Sequence, residues 1–435
     1  MLGDVLLVPP TAERGGSIGA VRCGGELSTD TVRVLFVHTA TMPPLGADTW
    51  VQIQIISELD RARHEVHVAC ATGPQCAPTP TFAALQGVAD VHLVPVNFGV
   101  ELSSSSGSRL LRAVRGVPLA VAGLFRLARY IRRHDIAIIH TTDRPRDALA
   151  CVLLARLTRA RCVIHCHVGF NPEWMSGALR WSMRRADALV AVSEFVASTL
   201  VAGGYRVERV HVVLNAIELE AWTPGLGRVE AREELGYAPE DVVVVTVCRL
   251  FPAKGPARLI HAIARVHRMH PQVRLLVVGH EMYAGYAEEL EALTRALGVE
   301  DIVTFAGRRG DVPALLAAAD VFAMPSFLEP FGLVYAEAMA MELPVVALDN
   351  GGTPEVVEHG VSGLLSATDD DDALVENLAA LAADPTRREE LGRHGRQRVE
   401  RCFTLQRQAG RVADFYRLLA FGPVAPTTNA KDGVS

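Results

Sequence analysis

Glu329 and Glu337 stand eight residues apart in the stretch 325–365, PSFLEPFGLVYAEAMAMELPVVALDNGGTPEVVEHGVSGLL. A carboxylate only accepts hydrogen bonds, so it matches paired hydroxyl donors. One glutamate in a loop and one on a helix therefore suit a polyhydroxyl ligand such as a ribose or a hexose, and this chemistry needs no metal. Gly332 and Gly351-Gly352 precede two expected helices, whose free N–H groups would suit a phosphate. Arg249 and Lys254 lie five residues apart at the end of an apolar run, 242–247. Two such cations can neutralise a diphosphate, arginine as a fork and lysine as a point charge. Around the glutamates the order is strand, polar loop, helix, buried strand, glycine turn and helix. That is the grammar of a doubly wound α/β unit, in which ligands sit at the carboxyl ends of the strands.

Taken in order, these residues resemble the signature of the retaining nucleotide-sugar glycosyltransferases of family 4 (group 1). The matching residues are Glu329, then Glu337-Ala338-Met339-Ala340, Pro344-Val345-Val346 and Gly351-Gly352-Thr353-Pro354-Glu355. The family's R-L-x-x-x-K-G is matched by Arg249 and Lys254, and its A-D-x-x-x-x-x-S by the run from Ala186-Asp187 to Ser193. Three positions depart from it. Glu342 stands where the family has glycine, Leu45-Gly46 where it has two glycines, and Asn215-Ala216-Ile217-Glu218 where it has N-G-[IV]-D. If a helix ends at Glu342 in a left-handed residue, the non-glycine costs about 1 kcal/mol.

The resemblance implies an α/β chain with the GT-B fold, two Rossmann-like doubly wound domains facing across a cleft. The expected boundaries are a flexible leader at 1–30, an N-terminal acceptor-binding domain at 31–217 and a linker at 218–239. A nucleotide-sugar-binding domain at 240–403, a helix at 404–421 crossing back to the first domain and a tail at 422–435 follow. It implies a hexosyltransferase moving a sugar from a nucleotide-sugar donor, a UDP-sugar before GDP-mannose, to a small-molecule, lipid or glycan acceptor. Arg249 and Lys254 would stabilise the leaving diphosphate, Glu329 would hold a sugar hydroxyl, and His167 would face the donor sugar. Donor contacts would come from Gly46, Phe331, Gly332 and Leu333, from Glu337 at the ribose, and from Arg308 near the nucleobase. His38, Asp143, Arg144, Trp174 and Met175 are the candidate acceptor-lining residues. No protein nucleophile, metal or cofactor is expected. A nucleotide-sugar epimerase and a non-catalytic sugar-nucleotide sensor of the same fold stay open. The spacing of two glutamates does not set the carboxyl separation that a glycoside hydrolase needs. A dinucleotide dehydrogenase is disfavoured, because no G-x-G-x-x-G follows a strand.

The elements that must position these groups are written in the rest of the chain. Its 435 residues leave room for two or three domains, and 49% apolar with 21% charged residues is an ordinary globular composition. A net charge of −6 argues against a general nucleic-acid binder. The start, MLGDVLLVPPTAER, lacks a basic n-region and is a poor signal peptide. Eight cysteines without a framework suit reduced thiols, so the expected location is the cytoplasm. Residues 109–133 form a helical pattern carrying seven arginines, interrupted at Gly116 and Pro118. The expected reading is a solvated basic face packed by its apolar side on a sheet. The alternative is peripheral contact with an anionic membrane at its inner face. Cys162, His165, Cys166 and His167 invite a zinc reading, but alternation in a strand divides them between two faces and no second ligand pair has structural-zinc spacing. The aspartates 369–372 precede a helix start, where acidic residues favour the helix dipole.

Overall fold

Runs of valine and isoleucine, whose branched side chains suit a pleated surface, build two sheets. The structure, a computed structural model, describes residues 31–39, 46–71, 79–96 and 109–422. The expected leader, Leu45 of the first loop and all of the expected tail but Gly422 lie outside the described residues. The first sheet holds β1 (Val32–His38), β2 (His64–Ala71), β3 (Val91–Val96), β4 (Ile138–Thr142), β5 (Arg161–Cys166), β6 (Ala188–Ala191) and β7 (Val210–Val212). The second holds β8 (Val242–Val247), β9 (Val273–Val278), β10 (Val303–Gly307), β11 (Val321–Met324), β12 (Val345–Leu348) and β13 (Gly363–Ser366). Among the described residues the orders are β3-β2-β1-β4-β5-β6-β7 and β10-β9-β8-β11-β12-β13. Every pairing between them is parallel. β8 is buried along its whole length, as a strand covered by helices on both faces must be. In each sheet the chain order reverses beside the first strand, at β1/β4 and β8/β11, which opens a crevice at the carboxyl ends.

Local chemistry sets where the helices start. After β8, Gly255 takes φ +73° and leads into the helix Pro256–Met269. A Cβ at Gly255 would stand 2.2 Å from the Pro325 carbonyl oxygen, so only glycine lets the two loops close on each other. The aspartate run is absorbed by the fold. Asp370 Oδ1 accepts the Ala373 N–H at the start of Asp371–Ala383, while Asp371 and Asp372 pair with Arg258 and Arg265 of the neighbouring helix. Glu342 does adopt the left-handed conformation, at φ +59°, just after the helix Leu333–Ala340.

Two stretches differ from their expected form. The helix Arg109–Arg133 is continuous, with Pro118 inside it, because proline removes one backbone donor and need not stop a helix packed from one side. Leu127, Ala128 and Ile131 bury its second half, yet Leu119 and Phe125 stand 55% and 66% exposed. Within the expected linker, Arg228–Glu234 is helical. Its Arg228 and Arg232 reach Asp320 at 2.7 and 3.2 Å, which builds that segment onto the second sheet beside β11. The last helix, Leu405–Phe421, returns to the first sheet. Ile217 N–H donates to Phe403 O at 3.0 Å where the two crossings meet, and buried Tyr416 shares a hydrogen bond with His140 of β4. Among the described residues no helix is long and apolar enough to cross a membrane.

Candidate active site

The loops after β8 and β11 bring the charged residues of the second half together. Lys254 Nζ lies 2.5 Å from Glu329 Oε2, with their side chains only 16% and 9% exposed. Ser326 Oγ donates to the same carboxylate oxygen at 2.8 Å. Arg249 packs over the Phe251 ring at 5.5 Å and Lys254 at 5.9 Å. Arg249 Nε is buried and has no hydrogen-bond partner, so part of the guanidinium fork is uncommitted. Gly351 and Gly352 hold the Glu329 loop from below. The Gly352 N–H donates to Glu329 O at 2.7 Å, and a Cβ there would meet Pro330 O at 2.3 Å. Asn350 Oδ1 accepts from Leu328 N–H at 2.8 Å, at a residue strained to φ +52°.

Glu337 is placed differently. Its side chain is 1% exposed, its Oε2 has no partner, and burial pushes its carboxyl up to about 8. It opens on a cavity of about 160 Å³ bounded by Trp50 and Gln54 of the first half, the Ile217 crossing, Trp222 and Leu333. A neutral carboxyl at neutral pH can donate one hydrogen bond and accept others.

Facing this, the carboxyl ends of β1, β4 and β5 carry a polar cluster. His38 is buried, and its Nε2 lies 2.7 Å from Thr49 Oγ1. Asp143 accepts the His167 N–H at 3.0 Å. Burial, then the nearby Asp48 charge, pushes the Asp143 carboxyl up to about 7. Burial lowers both His38 and His167 to about 4, so both rings are neutral at pH 7. His167 stacks on His165 with centroids 4.5 Å apart and leaves its Nε2 unpartnered. Arg144 holds Asp48 with both arms, at 2.7 and 3.1 Å. Burial opposes ionisation of Asp48, but the Arg144 bonds and charge win and draw its carboxyl down to about 2.

Two further residues stitch the halves together. Ser193 Oγ donates to Pro330 O at 2.6 Å. The Glu355 carboxylate accepts the N–H groups of Glu194 and Phe195, both at 2.7 Å. An anion suits this helix N-terminus, where those donors have no partner within the helix.

Of the residues singled out in the sequence, Arg249, Lys254 and Glu329 meet at one place, with Gly332 against the Glu329 stem. Phe331 is buried edge-on against Phe403, and Leu333 is buried beside the cavity. His38, Asp143 and His167 gather in the first half, and Gly46 caps the start of the helix Ala47–Glu58. Arg308 is exposed beside Gly307, and Trp174 is 47% exposed. One acceptor-lining candidate is turned inward. Met175 belongs to the hydrophobic core, because a turn closed by Met175 N–H to Asn171 O tucks it inward. The Arg144 guanidinium is occupied by Asp48. Sequence reasoning missed Asp48, Thr49, Ser326 and Asn350 as partners, although each stands within three residues of a glycine or a glutamate that it singled out.

Comparison with known proteins gives the family and the fold. Residues 228–398 match the family Glycosyl transferases group 1, and residues 50–221 match Glycosyltransferase Family 4. The chain is 35% identical over 253 residues to alpha-maltose-1-phosphate synthase of Mycobacterium tuberculosis, a match covering 53% of this chain and 63% of that one. It is 38% identical over 251 residues to D-inositol 3-phosphate glycosyltransferase of Segniliparus rotundus, covering 55% of each. The matched region thus spans less than two thirds of these curated relatives. Among solved structures, Anabaena HepE in complex with UDP and glucose is 26% identical, with a TM-score of 0.71 over 88% of this chain and 99% of that one. Sucrose-phosphate synthase from Thermosynechococcus elongatus shares the fold at 22% identity and a TM-score of 0.71.

Proposed function

We propose that this chain, which belongs to the group 1 glycosyltransferases with the GT-B fold, transfers a hexosyl group from a nucleotide-sugar donor with retention and without a metal. The observation that carries this reading is the Lys254–Glu329–Ser326 group with Arg249 beside it at the carboxyl end of β8. In the reaction the bond from the sugar C1 to the β-phosphate oxygen breaks and a bond from C1 to the acceptor oxygen forms on the same face. The acceptor proton passes to the departing phosphate oxygen. Arg249, Lys254 and the N–H groups near Gly332 meet the negative charge that grows on the diphosphate. Charge fixed in place beforehand in this way supplies most of the rate enhancement in catalysis of this kind. Glu329 takes a sugar hydroxyl, Glu337 the ribose, and neutral His167 a sugar hydroxyl from the facing half. The donor then belongs to the second sheet, and the acceptor, a small molecule, lipid or glycan, to the first. UDP is favoured because HepE, at 26% identity, was solved with UDP and glucose.

A thermal-shift panel with UDP, GDP, ADP and their sugars, with and without magnesium, tests the donor. A ligand at 100 times its Kd adds about 2.7 kcal/mol to the folded state. UDP or its sugar is expected to raise Tm equally in both buffers. A shift that needs magnesium would sink metal independence, and no shift with any nucleotide would sink the donor reading.

The second reading concerns the membrane. On Arg109–Arg133, Leu119, Val121 and Phe125 are exposed in the same stretch as exposed Arg126, Arg129 and Arg133. An apolar wedge beside cations fits an anionic lipid surface. The protein is expected to float with anionic liposomes at low salt and to release them at high salt. Flotation with neutral and anionic vesicles alike, or with neither, would remove the contact.

A further inference from the structure

At the amino ends of β2 and β3, on the sheet edge away from the crevice, four side chains with metal-ligand chemistry converge. Glu65 and His67 are two apart on β2 and so point to one face. His92 of β3 is the register partner of His67, and their rings stack 4.7 Å apart. His134 follows the end of the helix Arg109–Arg133 and stacks on Tyr130 at 4.2 Å. The ligand atoms of Glu65, His67 and His134 all lie within 4.8 Å of one another. Glu65 Oε1 stands 3.2 Å from His67 Nε2 and 3.8 Å from His92 Nε2.

The His67 side chain is fully buried. Its Nδ1 is 2.8 Å from the Tyr130 hydroxyl, which orients the ring, and its Nε2 has no hydrogen-bond partner although it aims at the Glu65 carboxylate. The other Glu65 oxygen is held by Arg33 Nε at 3.0 Å. We propose that Glu65 Oε1, His67 and His134, with His92 as the fourth ligand, bind a divalent transition ion of the zinc class.

The chemistry of the donors supports this choice. Neutral imidazole with one carboxylate suits zinc, cobalt and nickel rather than calcium or magnesium, which take oxygen. Zinc holds nitrogen and oxygen at about 2.0–2.2 Å in a tetrahedron, which sets ligands roughly 3.4 Å apart. Glu65, His67 and His134, now within 4.8 Å of one another, close to that with shifts of about 1.4 Å or less, and exposed His92 moves in from 3.8 Å off Glu65 Oε1. A ligating histidine is usually supported by an oxygen on its remaining ring nitrogen, and Tyr130 supplies it. The helix end at His134 adds partial negative charge. The crevice residues lie at the opposite ends of the strands, so the ion is structural: it fastens the end of the long basic helix to the sheet edge.

The test uses the full chain stripped with a chelator and titrated with Zn²⁺ against a chromogenic competitor, with Co²⁺ as the spectroscopic probe. One equivalent should bind and give the visible cobalt bands of a tetrahedral site. His134→Gln and His92→Gln should each weaken zinc by at least about tenfold and abolish those bands, and Tyr130→Phe should weaken it by about tenfold. His261→Gln, on an exposed helix face, should change nothing. Zinc should raise the Tm of the wild type but not of His134→Gln, whose metal-free Tm stays near the wild type. If His134→Gln and His92→Gln bind zinc as the wild type does, or if cobalt gives only octahedral spectra, the site does not exist. The UDP thermal shift is expected to survive all four substitutions, which keeps this test separate from the donor assignment.

Discussion

Lys254→Ala is expected to lower kcat by about 10²–10³-fold, with a much smaller change in donor KM. The ammonium lies in a site where both it and Glu329 are largely shielded from water. A charge there acts on the leaving diphosphate far more strongly than it would in solvent. Removing it also leaves Glu329 with only the Ser326 hydroxyl, and breaking one side of a buried pair destabilises by on the order of 3 kcal/mol. The two effects separate in the double variant Lys254→Ala/Glu329→Gln, which removes the stranded charge. It should regain stability but not rate. The readout is nucleoside diphosphate release with the donor that the thermal-shift panel identifies. A single variant with near-wild-type rate would refute the leaving-group role. Recovery of rate in the double variant would show that the loss was structural.

Glu337→Gln should move stability and donor affinity in opposite directions. Burial raises the Glu337 carboxyl to about 8, above its value in the unfolded chain, near 4.3. Between those values the folded protein holds a proton that the unfolded chain has lost. Stability therefore falls as pH rises through this window and levels off above about pH 8. Glutamine removes that dependence. The variant should gain on the order of a few kcal/mol relative to wild type above pH 8 and little near pH 4, read from urea melts across pH. Its nucleotide affinity should fall by about tenfold, because an amide cannot place two acceptor oxygens against the two ribose hydroxyls. If the donor hydroxyls bond to Oε2, binding also releases a proton near pH 7, which calorimetry in buffers of different ionisation enthalpy detects. A pH-independent stability difference would refute the raised carboxyl. Unchanged affinity would remove Glu337 from the donor site.

Much of this site was legible in the residues. The order of glutamate pair, glycine pair and Arg–Lys pair reads from local strand, loop and helix signals, because those signals depend on near neighbours and backbone geometry. Glu342 was legible in the same way, since a helix end demands a left-handed residue whatever occupies it. The four aspartates were legible as a helix start, and Asp370 caps that helix. Other positions were not. Arg144 read only as a candidate for the acceptor side, and its partner Asp48 lies 96 residues earlier in the chain. Met175 looked like a loop residue, and only the turn closed by Asn171 shows that it points inward. The long basic helix looked broken at Pro118, but the packing of Leu127, Ala128 and Ile131 sustains its second half.

The sequence by itself determined the doubly wound α/β grammar, the place of a ligand at the carboxyl ends of the strands and the kinds of charge that stand there. Those follow from periodicity, turn residues and side-chain chemistry, all local properties. Only the tertiary structure decided which of those charges are spent and which are left unpaired. Glu329 is matched by Lys254, 75 residues away, and Glu355 by a helix start 161 residues away. Glu337, from the same motif, is buried with an oxygen that has no partner. Two glutamates of one motif thus meet different neighbours, a lysine beside Glu329 and a water-excluding wall around Glu337, where burial pushes the carboxyl up to about 8. Those neighbours are brought by folding and cannot be counted along the chain.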